Sequence, residues 1–215
     1  MAIIYTKGEE IANVVSHGVG IIFGIVIGFI LMETALNSHN PWAVASVPFY
    51  LFGMVASYIT STSYHACTPG KRKALLRKFD HAAIYWHIAG TYSPIALVVL
   101  RDSGFWGWGI FIFVWLCAII GSILSFTKLK EHSNVETICF VAMGATIIVA
   151  LKPLINVLSS LNEMGALYLI LAGGASYIIG AVFYSLNKIN YMHSVFHIFC
   201  LGGSICHAIA IYKIL

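Results

Sequence analysis

Long apolar runs alternate with short polar segments along the whole chain. A helix needs about 20 apolar residues to cross the hydrocarbon core of a bilayer. Seven runs meet this length, over residues 15–36, 42–65, 80–100, 105–126, 134–158, 164–186 and 191–212. Pro153 interrupts the fifth run, so we expect that helix to kink or end there. The pattern predicts an all-α polytopic membrane protein, with one domain of seven transmembrane helices over residues 1–215.

The composition narrows the class of protein further. Hydrophobic residues make up 60% of the chain and charged residues 9%, and the mean hydropathy is +0.89. A soluble domain carries about 25% charged residues, so this chain has too few to cover a surface in water. Its five cysteines are scattered and form no C-x-x-C pair, which argues against a thiolate zinc site. We expect membrane lipids as neighbours, no nucleic-acid partner, and no particular oligomeric state.

Lysine and arginine are distributed unequally between the two sides of the predicted bundle. One side carries nine of them: Lys7, Lys71, Arg72, Lys73, Arg77, Lys78, Lys128, Lys130 and Lys188. The opposite side carries three: Arg101, Lys152 and Lys213. Cytoplasmic loops carry the excess of positive charge. We therefore expect a multi-pass protein of the cell (inner) membrane, with a cytoplasmic amino terminus and an external carboxyl terminus.

Ionisable residues gather in the half of the bundle predicted to face the cytoplasm. His193 and His197 are four residues apart near the start of the seventh run, and His65 lies at the end of the second. Asp80 begins the third run, and Ser61 precedes His65 by one turn. Such residues are costly inside a bilayer, so each is a candidate for function.

Three histidines at one depth are typical of a catalytic zinc site, which keeps a further position open for water. We predict that His65, His193 and His197 bind Zn²⁺, although iron or manganese would also suit these donors. The H-x-x-x-H pair lacks the glutamate of H-E-x-x-H, so Asp80 is the candidate general base. Ser61 would hold the reacting water or the developing oxyanion. The alternative is a hydrogen-bonded network that joins helix ends without a metal.

Other polar residues have weaker claims on the site. Glu10, Asn13 and His17 share one face at the start of the first helix. His87 lies about two turns deeper than Asp80 and is either a supporting residue or a packed histidine. His207 is about 15 Å from His197 along one helix, too far to share its metal.

Several motifs in order resemble the bacterial hemolysin III branch of the progestin and adipoQ receptor family. They are EEIANVVSHGVG (9–20), SYITSTSYH (57–65), FDHAAIYWHIAGTYSP (79–94) and HSVFHIFCLGGSICH (193–207). The family pattern falls on Glu10, Asn13 and His17, on Ser61 and His65, on Asp80 with Tyr92, and on His193 and His197. The resemblance implies a seven-helix bundle whose three histidines hold zinc, with the aspartate at the zinc-bound water and the serine near the reacting group.

The function implied by the resemblance has two forms. Adiponectin receptors and alkaline ceramidases share the pattern and imply hydrolysis of a lipid amide such as a ceramide, in membrane lipid homeostasis. The family label implies a hemolysin-type membrane-lytic or pore-forming protein. A third hypothesis is a membrane receptor or sensor whose zinc is structural. The residues favour the zinc-dependent amide hydrolase but leave open whether the protein is an enzyme.

Overall fold

The computed structural model describes residues 5–127, 134–186 and 188–215, without the side chain of Asn134. Lys128 and Lys130 of the predicted basic side lie outside the described residues. The helices are α1 (Lys7–Asn37), α2 (Pro41–Ala66), α3 (Lys71–Pro94), α4 (Trp106–Thr127), α5 (Asn134–Gly144), α6 (Leu151–Ser160), α7 (Met164–Ser185) and α8 (Met192–Ile214). Seven helical spans among them are long and apolar enough to cross a membrane. The predicted all-α, seven-helix membrane fold is confirmed.

Two helices begin earlier than the apolar runs predicted. α1 starts at Lys7 because Thr6 and Glu9 form a capping box that satisfies the first backbone N–H groups. α3 starts at Lys71, so the basic segment KRKALLRK is helical and extends the span beyond its apolar part. Hydropathy detects only the part of a helix that lies in lipid, and it therefore missed both of these polar ends.

The fifth span is interrupted at the predicted place. A 3-10 segment, Ala145–Ala150, separates α5 from α6, and Pro153 lies in the first turn of α6. Proline has no N–H and its ring crowds the carbonyl four residues earlier, so the irregular turn precedes it. A second interruption was not predicted: α3 ends at Pro94 and continues as a π-helical segment, Ile95–Val99, to complete the third span.

α3 is the central helix of the bundle. In the most apolar stretch of the span that it begins, Lys71–Val99, 78% of the residues are buried, whereas the corresponding value for the α1 span is 22%. Glycines allow α2 and α3 to pack closely: a Cβ on Gly53 would lie 2.2 Å from the carbonyl oxygen of Trp86, and one on Gly90 would lie 2.5 Å from that of Phe49. Small residues at such contacts are typical of membrane helix pairs.

The same packing brings four helix ends together. The backbone N–H of Tyr191, just before α8, donates to the Glu9 carboxylate in α1 at 2.9 Å. Lys73, at the start of α3, donates to the carbonyl of Cys67, the C-cap of α2, at 3.0 Å. The beginnings of α1, α3 and α8 thus lie beside the end of α2. That this side faces the cytoplasm stays a prediction.

Candidate metal centre

Three imidazoles meet between the end of α2 and the start of α8. The Nε2 atom of His193 lies 3.2 Å from Nε2 of His65 and 3.1 Å from Nε2 of His197. One nitrogen of each of His65, His193 and His197 lies within 4.8 Å of the others, an arrangement able to hold a metal ion. His65 and His197 are 2% and 1% exposed. We call these residues the histidine triad.

The hydrogen bonds of the triad determine which ring nitrogens carry protons. Nδ1 of His65 lies 2.7 Å from the carboxylate of Glu10, so this nitrogen carries the proton and donates it. The Ser16 hydroxyl lies 3.0 Å from both the Asn13 carbonyl and Nδ1 of His197; with its hydrogen donated to the carbonyl, we assign the proton of His197 to Nδ1. The Nε2 atoms of His65 and His197 therefore present lone pairs to the centre of the triad.

Those two lone pairs cannot be satisfied within the triad. A proton on Nε2 of His193 could serve only one of its two neighbours well, and the other would remain a buried acceptor without a donor. A cation at the centre would satisfy all three imidazoles at once. Imidazole is a preferred ligand of zinc and other first-row transition metals. The residues present therefore fit a metal ion better than a network of hydrogen bonds alone.

A hydrogen bond between Asn13 and Ser194 joins α1 to α8 beside the triad. The Ser194 hydroxyl donates to the side-chain oxygen of Asn13 at 2.6 Å, and both side chains are buried. The amide nitrogen of Asn13 also lies 3.3 Å from Nδ1 of His65; because both atoms carry protons, this is a packing contact and not a hydrogen bond. Ser194 and Ser16 were not singled out from the sequence, because serine is common in membrane helices and these contacts join residues about 180 positions apart.

His17 lies directly against the triad without a hydrogen bond to it. Its ring stacks on that of His197 at a centroid distance of 3.4 Å and an interplanar angle of 16°. Its edge contact with Tyr58 has a centroid distance of 5.1 Å. Neither ring nitrogen has a hydrogen-bond partner among the described residues. His17 therefore supports the position of His197 by packing.

Asp80 and Ser61 form a second pair beside the triad. The Asp80 carboxylate lies within hydrogen-bonding reach of the Ser61 hydroxyl and within electrostatic range of His65. Ser61 is buried and Asp80 is half-buried. The pair provides a carboxylate able to accept a proton and a hydroxyl able to donate a hydrogen bond, next to three converging imidazoles.

Tyrosines surround the same space and were missed by sequence reasoning. The ring of Tyr5 lies 5.1 Å from that of His193 and 5.6 Å from that of His65. The ring centre of Tyr64 lies 4.6 Å from that of His65, and the ring centre of Tyr184 lies 5.6 Å from that of His193. Burial, with the nearby Tyr184, raises the pKa of Tyr5, so its phenol remains a hydrogen-bond donor at neutral pH. No spacing rule could have linked these residues, which come from three different segments.

The remaining candidates lie elsewhere in the bundle. His87 contacts the Ser204 hydroxyl at 3.4 Å, and the Tyr92 hydroxyl donates to the Gly144 carbonyl at 2.6 Å beside the interrupted fifth span. His207 contacts the Ile170 carbonyl at 3.1 Å. His81 binds the buried carboxylate of Glu136 at 2.6 Å. None of these contacts involves the histidine triad.

Comparison with known proteins shows the family to which the chain belongs. Residues 5–208 match the family model described as haemolysin-III related. The chain is 38% identical to "Hemolysin-3" of Bacillus cereus over 91% of its length and 87% of the relative's, and 36% identical to "Hemolysin-3 homolog" of Bacillus subtilis (strain 168) over 93% and 91%. It is 28% identical to the human "Monocyte to macrophage differentiation factor" over 96% and 84%. The chain belongs to the haemolysin-III-related family of membrane proteins.

Proposed function

We propose that this protein is a zinc-dependent hydrolase of a lipid amide, acting in the cell (inner) membrane. The observation that carries the proposal is the convergence of three imidazole nitrogens, two of which must present lone pairs. Three protein ligands with a remaining open position are typical of catalytic zinc sites, whereas structural sites are usually closed by four protein ligands.

The position of the histidine triad suits a substrate that is held in the bilayer and attacked by water. His65 is the penultimate residue of α2, and His193 is the second residue of α8. His197 lies about 6 Å further along α8 than His193, at 1.5 Å per residue. The triad is therefore close to the helix ends, where the amide linkage of a membrane lipid would meet water.

The side chains beside the triad supply the groups that amide hydrolysis requires. A bound zinc ion would act as a Lewis acid and make a water molecule acidic near neutral pH. The Asp80 carboxylate would accept a proton from the attacking water and return it to the nitrogen of the leaving amine. The Ser61 hydroxyl would donate a hydrogen bond to the oxygen that gains negative charge. Tyr5 would limit the entry of bulk water beside His193.

Turnover measured together with metal content tests the proposal. The purified protein should release fatty acid from a ceramide in mixed micelles, lose this activity when a chelator removes the metal, and regain it with added zinc. A His193→Ala, His197→Ala double variant should bind no zinc and hydrolyse nothing, whereas His207→Ala should retain both properties. Activity that persists in the metal-free double variant would contradict the proposal.

The same preparation distinguishes the two alternative functions. Zinc bound without hydrolysis of any lipid amide would favour a receptor or sensor with structural zinc. Leakage of dye from vesicles that tracks the amount of protein, with no dependence on the triad, would favour a membrane-lytic protein. The names of the Bacillus relatives motivate the leakage measurement, while the buried triad motivates the hydrolase assay.

A further inference from the structure

Lys73 is internal, although it belongs to the basic segment that predicts membrane orientation. Its ammonium group donates to the Glu10 carboxylate at 2.7 Å and to the Cys67 carbonyl at 3.0 Å, and it lies 4.8 Å from the ring centre of Tyr64. Its neighbours Lys71 and Arg72 are exposed. Lys73 therefore joins the start of α3 to α1 and to the end of α2, a role that its charge near a loop does not predict.

Lys73 reaches the histidine triad through a single intermediate carboxylate. Oε1 of Glu10 accepts from Lys73 at 2.7 Å, while Oε2 accepts from Nδ1 of His65 at 2.7 Å. The side chain of His65 is fully buried, and those of Lys73 and Glu10 are 15% and 22% exposed. Both carboxylate oxygens are thus held in charge-assisted hydrogen bonds, which are shorter and stronger than neutral ones.

We propose that Lys73 is a positioning residue for the metal centre, acting through Glu10 to hold His65 in the tautomer that presents Nε2 to the metal. This inference rests on the metal site of the proposed function but not on the reaction. A carboxylate behind a metal-binding histidine fixes the ring orientation and makes the imidazole a better ligand. Lys73 keeps that carboxylate charged and correctly aimed in a partly desolvated place.

The direction of the effect distinguishes this role from its opposite. If Lys73 chiefly drew the negative charge of Glu10 away from His65, its removal would strengthen the hydrogen bond between Glu10 and His65. The imidazole would then be a better ligand, and metal binding would become tighter. If Lys73 holds the carboxylate in place, its removal frees Glu10 to turn towards water, and His65 loses the acceptor that sets its tautomer. We expect the second result, because the two hydrogen bonds of Glu10 have equal length and use different oxygens.

The experiment measures zinc affinity by competition with a chelator, in purified protein and without substrate. Lys73→Met should weaken affinity about 10–100-fold, the usual cost of losing a group behind a metal ligand. Lys73→Arg keeps the positive charge and should retain most of the affinity. Lys71→Met is the matched control: it removes the same charge from the same segment but from an exposed side chain, and it should leave affinity unchanged.

A double-variant cycle separates the proposed chain of contacts from a general loss of packing. Glu10→Gln removes the charged intermediate, so adding Lys73→Met to it should have little further effect on affinity. Additive losses, unchanged affinity in Lys73→Met, or tighter binding would each overturn the proposal. Failure of the hydrolase proposal would look different: zinc affinity would depend on Lys73 as expected, but no lipid amide would be cleaved. Wild-type protein that binds no divalent metal would overturn both.

Discussion

Two buried polar clusters in this bundle have opposite hydrogen-bonding properties. In the histidine triad, the Nε2 atoms of His65 and His197 are acceptors, because the proton of each ring is on Nδ1 and is donated outside the triad. About 10 Å further along α8, at 1.5 Å per residue, Ser204 forms a second cluster with Tyr58, Tyr177 and His87. In this hydroxyl cluster the Tyr58 hydroxyl donates to Ser204 at 2.7 Å, and Tyr177 and Ser204 share a hydrogen bond of 2.8 Å. His87 lies 3.4 Å from Ser204.

The difference between the two clusters is whether the hydrogen-bond donors and acceptors within each one match. The hydroxyl cluster satisfies itself, because each hydroxyl is both a donor and an acceptor and His87 can accept. The lone pairs of the histidine triad are all matched when a cation lies at its centre. Burial and polarity are similar in the two places, so the unmatched lone pairs are what make the triad, and not the hydroxyl cluster, a candidate metal site.

The largest expected effect is the loss of bound zinc when the histidine triad is altered. Altering the hydroxyl cluster should leave the zinc content unchanged. Purified protein should contain about one zinc ion per chain. His193→Ala or His197→Ala should reduce this to a small fraction, since each removes one of three ligands, and His65→Ala should do the same. His87→Ala, from the hydroxyl cluster, should retain full occupancy. Elemental analysis of the four variants makes the comparison, and equal zinc in all of them would place the metal elsewhere.

The side of the membrane that the histidine triad faces is a prediction with only two possible outcomes. The triad should lie towards the cytoplasm, because the excess of lysine and arginine lies on that side of the bundle. In a variant without native cysteines, a cysteine placed near Asn37 should react with an impermeant thiol reagent from outside. One placed near Lys188 should not, and a reporter fused after Leu215 should be external. A cytoplasmic carboxyl terminus would reverse the orientation.

Sequence reasoning found the helices and the triad because both leave local signals. Seven apolar runs are visible without any tertiary contact, and His193 and His197 share a face through their spacing alone. The contacts of Lys73 with Glu10 and Cys67 were missed because its charge, and not its partners, is visible in sequence. Tyr5 and Ser16 were missed because their contacts join segments that lie far apart in the chain.

A smaller effect is expected when the triad keeps its metal but loses the neighbouring carboxylate. Asp80→Ala should retain most of the zinc, because Asp80 is not one of the three imidazole ligands. Turnover should fall about 10–100-fold or more, as for other groups that act beside a metal. Zinc content and fatty-acid release are measured on the same sample. Loss of all zinc would make Asp80 a ligand and change its assigned role.

The smallest expected effect concerns stability alone. Ser204→Ala removes the atom on which Tyr58 and Tyr177 converge and leaves buried hydroxyls without a partner. We expect the free energy of unfolding in detergent to fall by about 1–2 kcal/mol, since hydrogen bonds between membrane helices are individually modest. Zinc content should not change, because no side chain of the hydroxyl cluster binds the triad nitrogens directly.

A triple variant makes the stability prediction specific to hydrogen bonding. Adding Tyr58→Phe and Tyr177→Phe to Ser204→Ala removes the stranded donors together with their acceptor, which costs less than leaving them unpaired. The triple variant should therefore be at least as stable as Ser204→Ala alone. If it is instead less stable by the sum of the separate effects, the cluster stabilises the bundle by shape and not by hydrogen bonds. If zinc is lost along with stability, the two clusters are coupled, and the contrast between them would not hold.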